Sequence, residues 1–190
     1  LISGFTSCNK STGEVKGSSS VVNQTTSNIS EQEDVVSEIE EKDVKIEGKT
    51  EETSATIILE QDKISIEGDG AYNEGNILTI NKPGVYNLSG KLSNGQIIVD
   101  VDKEKYNGTE DSVELVLNNV VITSENSPVY VASISDKCTI NLQEGTVNKL
   151  TDSASYVNSD EDAGVIYSKE DLNIKGDGTL VVDALCADGI

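Results

Sequence analysis

The residues best placed to do chemistry lie in one polar stretch, Thr151-Asp152-Ser153-Ala154-Ser155-Tyr156-Val157-Asn158-Ser159-Asp160-Glu161-Asp162. Ca2+ takes roughly six to eight oxygens from carboxylates, carbonyls and waters on flexible backbone. Adjacent carboxylates repel, weakly when exposed, and a divalent cation relieves that repulsion. Asp160, Glu161 and Asp162 are therefore the first-choice metal ligands, with Asp152 and Asp188 as partners. The competing reading is a solvated acidic loop, since the regular acid spacing of an EF-hand is missing. Tyr156, Tyr167 and Lys169 lie close by in sequence. Beside a bound cation they suit a hydroxyl-rich ligand, with Lys169 set against a carboxylate. Asp69 and Asp177, each between two glycines, are expected to serve turns.

Other chemistries find few residues. The 190-residue chain has no His, so neither a Ser/His nor a Cys/His pair can form. All 14 of its basic residues are Lys, which removes an arginine base. A lysine of lowered pKa, or a carboxylate pair, stays open as an acid–base device, though no spacing singles one out. With 34 acidic residues the net charge is −20. Nucleic acid and anionic headgroups, which need clustered positive charge, are excluded as partners. An anionic ligand needs an intervening cation such as Ca2+.

Cys8, Cys138 and Cys186 are too few and too scattered for a disulfide framework or a zinc site. Cys138 sits in the alternating run Cys138-Thr139-Ile140-Asn141-Leu142, where it reads as a small core residue. Phe5-Thr6-Ser7-Cys8 resembles the end of a lipoprotein signal peptide, with Cys8 the acylated residue and Phe5 in place of the usual Leu. Residues 9–54, first Ser/Thr/Asn-rich and then acidic, bury too little apolar surface to offset ordering entropy and read as a disordered tether. No apolar stretch approaches the ~18 residues of a membrane span. The absence of Met, and an end at Asp188-Gly189-Ile190 inside an apolar pattern, read as a piece of a longer protein.

The elements that must position these groups begin near residue 55. Short runs alternate apolar and polar at Thr56–Glu60, Ile64–Ile66, Ile77–Ile80, Val85–Leu88, Ile97–Val101, Val113–Leu117, Val120–Ile122, Val129–Val131, Cys138–Leu142, Leu172–Ile174 and Leu180–Val182. Gly, Asn, Asp and Ser punctuate them, which predicts an all-β domain over 55–190. The runs also repeat. Leu117-Asn118-Asn119 and Leu142-Gln143-Glu144-Gly145 end equivalent strands 25 positions apart, and Leu142 to Ile174 is 32, the extra residues fitting between Thr151 and Ala163. Ile66-Glu67-Gly68-Asp69-Gly70 recurs as Ile174-Lys175-Gly176-Asp177-Gly178. Such recurrence favours a parallel β-helix over a sandwich, with inward Val, Ile and Leu stacked at roughly 4.8 Å. Segment 55–70 is the candidate N-terminal cap.

From about Ala55 the chain resembles a bacterial family of carbohydrate-binding domain-containing proteins. The resemblance is carried by Gly84-Val85-Tyr86-Asn87-Leu88-Ser89-Gly90, Leu92-Ser93-Asn94-Gly95-Gln96-Ile97-Ile98-Val99-Asp100 and Leu115-Val116-Leu117-Asn118. It continues through Ser127-Pro128-Val129-Tyr130-Val131, Ser168-Lys169-Glu170-Asp171-Leu172 and Asp188-Gly189-Ile190. It implies a right-handed parallel β-helix, here the N-terminal coils of a truncated one, that binds acidic plant cell-wall polysaccharide with Ca2+. The expectation is a secreted, lipid-anchored polysaccharide-binding protein rather than an enzyme. A Ca2+-dependent polysaccharide lyase and a structural adhesin are the rivals.

Overall fold

Alternating β-branched and polar residues form strands throughout, and no helix occurs among the described residues. The computed structural model describes residues 11–15, 53–108, 110–154, 156, 164–186 and 188–190. They belong to one unit, Leu1–Gly17 with Glu51–Ile190, whereas a second unit, Ser18–Thr50, lies outside them. The strands are β1 (Ser11–Val15), β2 (Thr53–Gln61), β3 (Ile64–Gly68), β4 (Ala71–Glu74), β5 (Ile77–Ile80), β6 (Gly84–Leu92) and β7 (Gln96–Asp100). They continue as β8 (Val113–Thr123), β9 (Val129–Ser133), β10 (Lys137–Leu142), β11 (Val147–Thr151), β12 (Ile166–Ser168), β13 (Asp171–Gly176) and β14 (Thr179–Ala184).

Each circuit of the chain lays its strands parallel to those of the circuit before, which is a parallel β-helix. β6, β8, β10 and β13 stack in one sheet, and β5, β7, β9 and β12 in another. The inward residues form columns. Tyr86, Leu115, Ile140 and Ile174 are in register, as are Leu92, Ile122, Leu150 and Val182. In the second sheet Leu78, Ile97, Val129 and Ile166 do the same. Nearly all are buried and join one apolar cluster. At ~25 cal/mol per Å2 of buried apolar surface these columns are the main stabilising term. Cys138 lies between Val113 and Leu172 in such a column, fully buried.

β6 and β8 are long because each turns a corner, its first half stacking toward β10 and its second half, in β8, beside β11. The corner needs one left-handed residue per coil. Asn119 supplies it in β8 (φ 54°) and Gly90 in β6 (φ 99°), where a Cβ would overlap the Leu59 carbonyl. The bulge leaves the Val120 amide to be satisfied by the buried Asn148 side chain, which accepts from it at 2.9 Å and donates to Thr146 Oγ1 at 3.1 Å.

Several expectations change in detail. The 25-residue step holds, with Leu117 opposite Leu142. Leu142, however, faces Gly176, and Ile174 faces Ile140, so the next step is 34 rather than 32. The Gly-Asp-Gly recurrence is a turn repeated in two contexts, because β3 runs antiparallel to β2 and belongs to no coil. Of the segment 55–70, β2 already stacks parallel on β6; the end is closed by β3 and by β4, which runs antiparallel to β5. Tyr86 ties this cap to the first coil through bonds to the carbonyls of Gly70 and Lys82. Inside the stretch assigned to the tether, Ser11–Val15 form β1, antiparallel to β14, and Thr53 opens β2.

Candidate carbohydrate-contact face

The connection from β8 to β9 has five residues, 124–128, whereas that from β11 to β12 has fourteen, 152–165. The extra length falls where the sequence placed it. Both feet of this long loop are pinned to the last coil. At the first, the Asp152 carboxylate, 3 % exposed, accepts the Leu185 amide at 2.5 Å and the Tyr156 hydroxyl at 3.1 Å. At the second, the Val165 amide donates to the Asp188 carbonyl at 2.9 Å and Gly164 bridges to Asp188. Burial raises the Tyr156 phenol well above its usual range, and the charge of Asp152 and its hydrogen bond add to that. Tyr156 is thus a neutral strut.

The proposed metal ligands are only partly placed. Asp160, Glu161 and Asp162 lie outside the described residues. Asp152 spends both carboxylate oxygens on hydrogen bonds, and Asp188 is exposed at the returning foot. Among the described residues no three His, Cys, Asp or Glu side chains converge to hold an ion. Cys8 also lies outside the described residues.

Of the three residues set against a ligand, Tyr167 and Lys169 come together on the outward face of the second sheet, whereas Tyr156 is spent on Asp152 at the foot of the loop. Alternation along β12 buries Ile166 and turns Tyr167 outward; along β9 it buries Val129 and Val131 and turns Tyr130 outward. Register places Tyr130 directly against Tyr167, and the rings stack with centroids 5.6 Å apart and planes 20° from parallel. Lys169 sets its ammonium 5.7 Å from the Tyr130 centroid, within cation–π range. Glu170, next along, pairs with Lys103 at 2.5 Å. Tyr130 is the member the sequence reading missed. Its signal was its place as the outward residue between two buried valines, which only the register connects to Tyr167. A stacked pair with a cation across one face presents hydroxyls, ring edges and positive charge, the groups that hydrogen-bond sugar hydroxyls and carboxylates.

The family model of carbohydrate-binding domain-containing proteins matches residues 74–190. A carbohydrate-binding domain-containing protein of Acetivibrio thermocellus is 37 % identical over 147 residues, covering 74 % of this chain and 49 % of its own length. A polysaccharide lyase-like protein from C. thermocellum, solved as a gadolinium derivative, superposes with a TM-score of 0.64 at 36 % identity, covering 73 % of this chain and 55 % of that one. The chain thus spans about half the length of these relatives.

Proposed function

Because the chain belongs to the carbohydrate-binding domain-containing protein family, we propose that it holds an acidic polysaccharide, of the polygalacturonate kind found in plant cell walls, on the outward face of the second sheet. The observation that carries this reading is the Tyr130–Tyr167 stack with Lys169 across it. The two rings contribute apolar contact and hydroxyls, and Lys169 offers a partner for a uronate carboxylate. A chain of net charge −20 otherwise repels a polyanion, so a bridging cation belongs to the proposal. Ca2+ suits it through Asp188 at the foot of the loop and the acids Asp160, Glu161 and Asp162, while Asp152 fixes the loop's base. A secreted setting, with lipid attachment at Cys8, completes the reading.

The second reading is a polysaccharide lyase, favoured by the lyase-like description of the solved relative. One assay separates them: pull-down of the protein on pectin and on cellulose, with Ca2+ and with chelator, while absorbance follows unsaturated products. Retention on pectin that chelator abolishes, without product, supports binding alone. Ultraviolet-absorbing product establishes the lyase, and no retention on either glycan leaves the adhesin.

A further inference from the structure

The outward face of the second sheet carries more than the tyrosine pair. Register extends the Tyr130–Tyr167 row strand by strand toward the cap: Tyr130 lies against Ile98, Ile98 against Thr79, and Thr79 against Tyr72 on β4. Five neighbouring outward positions are thus uncharged on a chain of net charge −20. A row without carboxylates is where a polyanion meets least repulsion. The row has an aromatic at each end, and Tyr72 is 46 % exposed, with Ile77 on the same face at 42 %. Nothing in the strand pairing requires a large apolar side chain at that edge. Four strand intervals of roughly 4.8 Å carry the row across about 19 Å parallel to the helix axis. An extended pyranose chain advances by a similar step per sugar, so successive units meet successive strands.

We infer that this row is a binding rail: the glycan lies along the helix axis, and Tyr72 is its distal contact, which makes affinity depend on chain length. The inference rests on the polysaccharide-binding reading and adds a direction and a residue to it. Tyr72 would pack against the apolar face of the sugar farthest from the long loop, with Thr79 and Ile98 beneath the intervening units.

The test is a ladder of oligogalacturonides from dimer to hexamer titrated in CaCl2 against the wild-type chain, Tyr72→Ala and Tyr72→Phe. Wild-type affinity should climb with length to about five units. Tyr72→Ala should match it on dimers yet lose about 5- to 10-fold on the longest ligands, and Tyr72→Phe should recover most of that loss. All three should melt together. A Tyr72→Ala variant indistinguishable from wild type at every length overturns the rail while leaving the binding reading intact. Equal loss at every length also overturns it. A wild type that binds none of the oligomers sinks the binding reading and the rail together.

Discussion

At the scale of residues, three side chains carry the binding account and two carry the fold around it. Replacing Tyr130 or Tyr167 by Ala removes one partner of the stack, and each should weaken polygalacturonate binding about 5- to 10-fold in direct titration. Lys169→Gln should weaken binding of the acidic glycan while leaving any neutral glycan unaffected. Asp152 behaves differently. Its buried carboxylate satisfies the Leu185 amide and the Tyr156 hydroxyl, so Asp152→Ala should cost about 1–3 kcal/mol in denaturant unfolding. Cys138 reports on the column it sits in. Burial pushes its thiol up to about 12, so in the folded chain it should ignore a thiol reagent at neutral pH and react once unfolded. Its folded pKa is raised above the unfolded value, so its contribution is full below pH 9 and fades toward pH 12. Tyr167 and Lys169 were legible from sequence through their nearness to the acidic loop. Tyr130 and Tyr72 were not, because strands join positions far apart in the chain.

At the scale of elements, period-2 alternation revealed most strands, since inward Val, Ile and Leu recur wherever a coil faces the core. β11 escaped because its polarity is inverted: Val147 points outward at 56 % exposure while Asn148 points inward to serve the bulge. β12 is three residues long, too short for a period to show. Val113–Leu117 and Val120–Ile122 read as two strands and are one, bent at Asn119, because a left-handed Asn resembles a turn. The columns make the strongest stability predictions. Leu117→Ala, between Leu88 and Leu142, should cost about 2–5 kcal/mol by chemical denaturation. Gly90→Ala should cost about 1–3 kcal/mol, from strained backbone and the clash with the Leu59 carbonyl. Lys91→Ala, exposed beside Gly90 on β6, is the control expected to change little.

At the scale of the whole molecule, repetition supplies the frame, and the candidate contact face lies on its regularly stacked strands β9 and β12. The coils differ little where they stack, and the connection from β11 to β12 is nine residues longer than that from β8 to β9. The net charge of −20 over the full chain sets the electrostatic problem that any acidic ligand must solve. Chelation should therefore weaken polygalacturonate binding more than binding of any neutral glycan, checked by titration with and without Ca2+. The outward face of the second sheet is the centre of the account, and the double variant Tyr130→Ala/Tyr167→Ala examines it most directly. Titrated with polygalacturonate in Ca2+, it should lose at least about tenfold in affinity while melting at the wild-type temperature. Wild-type affinity in that double variant would place the glycan elsewhere on the molecule and contradict the assignment.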